Sequence, residues 1–94
     1  MAVIVRIPTP LQGLTNNLSE VAADGGTVRE VMGNLDEKYP GLKARLYDDA
    51  GKLRRFVNVY VNDEDIRFME NEETAVQDGS EISIIPSIAG GLSG

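Results

Sequence analysis

The sequence contains neither cysteine nor histidine. Their absence removes thiolate and imidazole nucleophiles, the usual zinc ligands, and the side chain best suited to proton transfer near neutral pH. The phosphate-binding loop, the dinucleotide-binding fingerprint and the nucleophile elbow of hydrolases are also missing from the sequence. The chain is therefore predicted not to be an enzyme, and to bind no metal ion or cofactor of its own.

Long apolar segments and basic runs are also lacking. No stretch approaches the length of a membrane span, and Arg6 and Pro8 interrupt the opening segment that would have to serve as a signal peptide. The net charge of -6 repels phosphate backbones, and the longest basic run is Arg54-Arg55. We therefore expect a folded cytoplasmic protein that binds neither nucleic acid nor membrane and associates faster with a partner whose docking surface is basic.

Hydrophobic patterning predicts one compact domain built from strands and a helix. Thr27 and Glu30 have capping-box spacing, so a helix should begin there. In this pattern the Thr27 hydroxyl accepts a hydrogen bond from the Glu30 backbone N–H, and the Glu30 carboxylate accepts one from the Thr27 backbone N–H. Its pattern ends at Tyr39-Pro40-Gly41. The apolar stripe of this helix is Val28, Val31, Met32 and Leu35, a second short helical turn is predicted at 42–46, and strands are predicted at 2–7, 18–23, 56–61, 66–68 and 81–85.

The order strand, strand, helix, strand, short strand, strand predicts an α+β protein with the β-grasp (ubiquitin-like) fold. The prediction is a mixed sheet of four to five strands with one main helix across a face, and with the first and last strands side by side at the sheet centre. Residues 1–86 would form the domain, and residues 87–94 would leave it as a flexible C-terminal tail.

Acidic clusters are the other residues with possible chemistry. Asp48-Asp49 and Glu72-Glu73 are paired carboxylates, but nothing in the sequence places two of them across a pocket or raises the pKa of one. The segment 62–65 superficially resembles a calcium loop but lacks its glycine and its closing glutamate, and is interpreted as a solvated hairpin turn.

The remaining feature is the tail, which contains Ala89-Gly90-Gly91. A di-glycine alone is a weak signal. After a β-grasp domain, however, it suits a carboxylate that must thread into a narrow enzyme channel, because glycine has no Cβ.

The chain resembles the MoaD and ThiS group of ubiquitin-like sulfur carriers, and within it the CysO-type carriers of cysteine biosynthesis. The resemblance covers nearly the whole chain. It is carried by the opening segment Val3 to Thr9, by the long block from Lys52 to Phe68, by Asp78-Gly79 leading to Ile84-Ile85-Pro86, and by Ala89-Gly90-Gly91.

The resemblance implies that the chain is a protein substrate and sulfur donor for partner enzymes. An E1-like enzyme, using ATP and magnesium, would adenylate the Gly91 carboxylate, which is then converted to a thiocarboxylate. Ala89 and Gly90 would thread through that enzyme. A sulfur acceptor enzyme, such as a PLP-dependent sulfhydrylase making cysteine, would receive the sulfur.

One departure from the family pattern is that Gly91 is followed by Leu92-Ser93-Gly94, so that its carbonyl lies in an amide. We therefore expect a maturation protease to cut between Gly91 and Leu92, and the family resemblance implies a JAMM-type zinc peptidase. Activation at Gly94 is the alternative.

Partner docking is expected on exposed apolar side chains of the sheet next to the tail. Alternation gives four candidates, Ile85, Phe68, Tyr60 and Ile4, some of which should prove to be core residues instead.

Two other functions share the predicted fold. A ubiquitin-like protein modifier would use the same activation chemistry but join Gly91 to lysines of target proteins, and a β-grasp adaptor would carry an inert tail. The receiving pathway also stays open among cysteine, thiamin, molybdopterin, thiolated tRNA and secondary metabolites.

Overall fold

The first two strands form an antiparallel hairpin. In the computed structural model, which describes residues 2–86, β1 is Val3–Arg6 and β2 is Glu20–Ala23, with Val3 opposite Ala23. Alternation on β1 buries Val3 and Val5, and Ile7 beyond its end is buried as well. Between the strands lies a 3-10 helix, Thr9–Leu14, in a segment where Gly13 and two asparagines are typical of a turn. Both strand predictions are confirmed, with shorter bounds.

The main helix, α1, is Val28–Lys38, and it begins where the capping pattern predicted. The Thr27 hydroxyl accepts a hydrogen bond from the Glu30 backbone N–H at 3.2 Å. The second half of the predicted capping box is wrong, because the Glu30 carboxylate accepts from the backbone N–H of Gly26, at 2.8 Å, rather than from that of Thr27. The four residues of the predicted apolar stripe are all buried. Gly41, with a left-handed φ of 99°, precedes α2, Leu42–Leu46.

The second half of the chain supplies three strands. These are β3 (Val57–Val61), β4 (Glu64–Asp65) and β5 (Glu81–Pro86). The predicted short strand at 66–68 is wrong, because Ile66–Phe68 is a 3-10 helix. The helical turn has a local cause. The Asp65 carboxylate accepts a hydrogen bond from the Arg67 backbone N–H at 2.8 Å, which caps the turn and ends β4 after two residues. A further 3-10 helix, Asn71–Glu73, lies in the acidic segment between β4 and β5.

The five strands form one mixed sheet in the order β2-β1-β5-β3-β4. The first and last strands, β1 and β5, pair in parallel at its centre, and the other pairings are antiparallel. Both helices contribute to a single core on one face of the sheet, which gathers side chains of every strand except β4: Val3, Val5, Val21, Val28, Val31, Met32, Leu35, Leu42, Leu46, Val59, Val61, Ile82 and Ile84. The predicted β-grasp fold is confirmed.

The helices described in residues 2–86 are short. None of them is long and apolar enough to cross a membrane.

Candidate functional site

The described chain ends on the central strand of the sheet. β5 lies between β1 and β3, and its last residue, Pro86, is the register partner of Val57 on β3. The four tail residues named by the sequence analysis, Ala89, Gly90, Gly91 and Leu92, lie outside the described residues. The structure therefore gives the base from which the tail departs.

The face of the sheet opposite the helices carries three of the predicted docking residues. Ile4, Tyr60 and Ile85 alternate with the buried side chains of β1, β3 and β5, so they point away from the core. Ile4 and Tyr60 are half-buried, and Ile85 is 48% exposed. None of the four docking candidates belongs to the buried core, contrary to the expectation that some would.

Register brings only part of this set together. Ile85 is opposite Asn58, and Tyr60 lies two residues farther along β3 on the same face, so Tyr60 and Ile85 are diagonal neighbours. Ile4 pairs with Glu81, at the start of β5, which places it about 13 Å along the strand from Ile85. Ile85 therefore lies next to the last described residue of β5, Tyr60 lies level with Ser83 in the middle of that strand, and Ile4 on β1 lies level with its start.

Phe68 is the most exposed apolar side chain of the described residues. It lies in the 3-10 helix after β4, at the edge of the sheet, and 84% of its surface meets solvent. An isolated exposed apolar residue is ordinary, but Phe68 is exposed to this extent next to Met69, itself 37% exposed, so that the two form an exposed apolar patch.

An apolar groove beside the base of the tail was missed by the sequence analysis. It has a volume of about 170 Å³ and is lined mainly by apolar side chains, among them Leu11, Leu46, Val57 and Pro86. Its walls come from four separate parts of the chain, so no local pattern could have predicted it.

The acidic clusters serve structural purposes. The Asp48 carboxylate accepts from the backbone N–H groups of Lys52 and Ala50, at 3.0 and 2.9 Å. These bonds, led by that from Lys52, lower the pKa of Asp48, which is opposite to what a general acid requires. Glu73 forms an ion pair with Arg29 at 2.6 Å.

The segment 62–65 is a hairpin turn, as predicted. Asn62 and Asp63 have left-handed φ angles of 50° and 71° between β3 and β4. The Asn62 side-chain oxygen accepts from the Glu81 backbone N–H at 2.9 Å, which fastens the turn to β5. Asp65 pairs with the Arg67 guanidinium at 2.7 Å, and that contact lowers the pKa of the Asp65 carboxyl. Residues 2–86 contain no group of acidic side chains arranged to hold a metal ion.

Comparison with known proteins gives the family. The sequence profile of the ThiS family matches residues 5–91. This chain belongs to the ThiS family. The match begins on β1 and ends at Gly91, the second residue of the tail di-glycine, so it spans both the domain and the predicted reactive end.

Individual relatives of this ThiS-family chain support the same family assignment. The sulfur carrier protein CysO of Mycobacterium tuberculosis is 46% identical over 93 residues, covering 97% of this chain and 100% of the relative. The crystal structure of the Amycolatopsis orientalis BexX/CysO complex contains a chain 47% identical to this one, with a TM-score of 0.89, covering 96% of this chain and 100% of that one. The small archaeal modifier protein 3 of Haloferax volcanii is 37% identical over 68 residues, covering 72% of this chain and 73% of the relative.

These similarities confirm the resemblance stated from the sequence and make this ThiS-family chain a carrier rather than a catalyst. That agrees with the absence of cysteine and histidine.

Proposed function

We propose that this ThiS-family chain is a sulfur carrier whose working group is the C-terminal carboxylate of Gly91. The observation that carries the proposal is the extent of the family match, which ends at Gly91 and leaves out Leu92-Ser93-Gly94. A family boundary at the di-glycine is what a removable extension predicts. The 46% identity to a protein named as a sulfur carrier supports the same function.

The proposed chemistry needs a free carboxylate at Gly91. A peptidase, for which the JAMM zinc type is our candidate, hydrolyses the amide between Gly91 and Leu92. The freed carboxylate attacks the α-phosphorus of ATP in an E1-like enzyme that holds magnesium, and pyrophosphate leaves. A sulfur donor at the sulfide oxidation level then displaces AMP, which gives the thiocarboxylate. Transfer of that sulfur to an acceptor enzyme, such as a PLP-dependent sulfhydrylase, completes the cycle.

The fold supports this division of labour. β5 is paired on both sides, by β1 and β3, so the strand that carries the tail is held by two sets of backbone hydrogen bonds. The partner enzymes can therefore recognise a rigid surface while the chain beyond Pro86 enters the active site. Glycine at positions 90 and 91 keeps that segment narrow.

Docking of the partners is proposed on Tyr60, Ile85 and Phe68. Ile85 lies next to the base of the tail on the outer face, Tyr60 is its diagonal neighbour on β3, and Phe68 is exposed at the neighbouring edge. Ile4 contributes at the far end of the face.

The test of the carrier function is intact mass spectrometry of the protein recovered from its own host. The expected product ends at Gly91 and has gained the mass difference between oxygen and sulfur. A Gly91→Ala variant should be blocked, whereas Gly13→Ala should not, because a Cβ at Gly13 meets nothing within 4 Å. An unprocessed chain, persisting in cells that express the E1-like enzyme and the peptidase, would contradict the proposal.

The docking surface has its own test. Phe68→Ala should slow thiocarboxylate formation, and Leu18→Ala is the matched control, because Leu18 is also exposed, at 46%, but precedes β2 at the opposite edge of the sheet. Equal rates of thiocarboxylate formation for the two variants would show that Phe68 is not part of the docking surface.

A second candidate function is that of a protein modifier. The similarity to small archaeal modifier protein 3 favours it. A modifier should give slowly migrating conjugates in the host that disappear when Gly91 is deleted, whereas a carrier should give the thiocarboxylate without conjugates.

A further inference from the structure

Basic side chains are gathered on one side of this acidic protein. A shallow concavity of about 690 Å³ is lined by Arg29, Lys52, Arg54, Arg55 and Arg67. These are five of the nine lysines and arginines in a chain whose net charge is -6. One acidic side chain, that of Glu72, lines it with them.

Three parts of the fold supply the basic side chains of this concavity. Arg29 lies on the first turn of α1, Lys52, Arg54 and Arg55 belong to the loop before β3, and Arg67 lies in the 3-10 helix after β4. The sequence showed only the pair Arg54-Arg55, because residues far apart along the chain supply the other charges.

Ion pairs within the domain neutralise only part of this positive charge. Arg29 is paired with Glu73 and Arg67 with Asp65, at 2.6 and 2.7 Å. By contrast, the side chains of Lys52 and Arg55 are exposed and make no ion pair within residues 2–86. Neither cation therefore has a carboxylate within ion-pair distance in the described part of the chain.

Arg54 is the third basic residue of this loop. Its guanidinium donates a hydrogen bond to the Ala44 carbonyl oxygen at 3.2 Å, which is a neutral acceptor. That bond fixes the side chain through an uncharged group. The Asp48 carboxylate, whose pKa is lowered chiefly by the backbone N–H of Lys52 and also by the charges of Arg54 and Lys52, offsets part of the positive potential of the loop.

The position of the concavity relates it to the tail. Val57, which also lines it, is the register partner of Pro86, the last described residue of β5. A molecule bound in the concavity would therefore lie next to the point where the chain departs toward Gly91.

We propose that this concavity is an interaction surface for an acidic segment of a partner protein, which it aligns with the base of the tail. The charges are spread over a broad, open surface and come from exposed side chains, which suits several carboxylates of a peptide better than one small anion. Nucleic acid is disfavoured, because the acidic remainder of the chain would repel a phosphate backbone that extends past the concavity. The inference is independent of the sulfur chemistry.

The test is an amide-resolved NMR titration of the isotopically labelled full chain with a hexaglutamate peptide in about 0.1 M salt, where the Debye length is about 10 Å. We expect shifts concentrated at residues 50–57, 67 and 71–72. Arg55→Glu changes the local charge by two units, which for one carboxylate about 6 Å away in water lowers the affinity roughly tenfold. Added salt should weaken the binding further.

The matched control is Lys38→Glu, which makes the same charge change outside the concavity, on the last turn of α1. Affinity should change by less than about twofold, since Lys38 lies about 13 Å along α1 from Arg29 and the Debye length in about 0.1 M salt is about 10 Å. The amide spectrum of each free variant reports whether it is folded, and Arg55→Gln is a milder variant that should lose part of the affinity.

Three outcomes would overturn the inference. These are shifts spread evenly over the surface, equal losses for Arg55→Glu and Lys38→Glu, and tighter binding of a single-stranded oligonucleotide of the same charge. The last would assign the concavity to nucleic acid instead of an acidic protein segment.

Discussion

Substitution of Gly25 by alanine should destabilise this domain strongly. Gly25 precedes α1 with a φ of 154°, a backbone conformation that side-chain-bearing L residues rarely adopt. A Cβ built there would lie 2.7 Å from Val31 Cγ2 and 2.8 Å from the Val31 backbone nitrogen. Because α1 is fixed by its buried face, neither the helix backbone nor the loop can move freely to relieve the contact.

The magnitude follows from two contributions. Backbone conformations in sparsely populated regions cost about 1–3 kcal/mol, and overpacking costs a further 1–3 kcal/mol. We therefore expect Gly25→Ala to lower the free energy of unfolding by about 2–6 kcal/mol. A small domain has only about 5–15 kcal/mol to lose.

Gly33 provides a control of opposite sign on the same helix. It lies inside α1, and a Cβ there would meet nothing within 4 Å. Gly33→Ala should therefore raise the free energy of unfolding by about 0.5–1 kcal/mol, because glycine is the poorer helix former.

The assay is urea unfolding of the full chain and both variants at neutral pH, followed by circular dichroism. Equal m-values would show that the same surface unfolds in each protein. A Gly25→Ala variant within about 0.5 kcal/mol of the parent would refute the argument, since that is the range of neutral surface changes.

Three further perturbations test other contacts. Leu35→Ala, at a fully buried position of α1, should cost about 2–5 kcal/mol in the same unfolding assay, and a loss below 1 kcal/mol would mean that the core collapses around the cavity. Asp65, whose pKa is lowered chiefly by its hydrogen bond to Arg67, should stabilise the fold above the ordinary aspartate pKa. That stability should be lost as the pH falls through the lowered value, and Asp65→Asn should flatten the acid limb of the pH–stability curve. Burial raises the pKa of Tyr47 to about 12, whereas the tyrosine of the unfolded chain ionises near 10. The free energy of unfolding should therefore fall as the pH rises from about 10 toward 12. Tyr47→Phe should abolish that fall without changing the acid limb of the curve.

Local signals predicted much of this fold. The helix start was predictable because Thr27 offers a hydroxyl to an orphan N–H of the first turn, a contact between residues three apart. The faces of Ile4, Tyr60 and Ile85 followed from strand alternation, which fixes direction without any knowledge of neighbours.

The errors came from competition between local structures. Ile66, Arg67 and Phe68 have the residue types of a strand, but the preceding Asp65 carboxylate captures the Arg67 N–H and starts a helical turn. Propensity for a strand was therefore overridden by one side-chain hydrogen bond.

Features to which several distant segments contribute could not be predicted from any local sequence pattern. The concavity that joins Arg29, Lys52 and Arg67 depends on how α1 and the sheet pack. Net charge alone suggested a uniformly acidic surface, whereas the folded chain has a distinct basic side.

The parallel pairing of β1 with β5 bears on how the protein is made. Among the described strands β5 comes last in chain order, and it lies between β1 and β3. The hairpin of β1 and β2 and the hairpin of β3 and β4 therefore have no shared neighbour until β5 follows them. A chain truncated before residue 81 would contain both hairpins but lack the central strand that joins them, so it could not form the finished sheet.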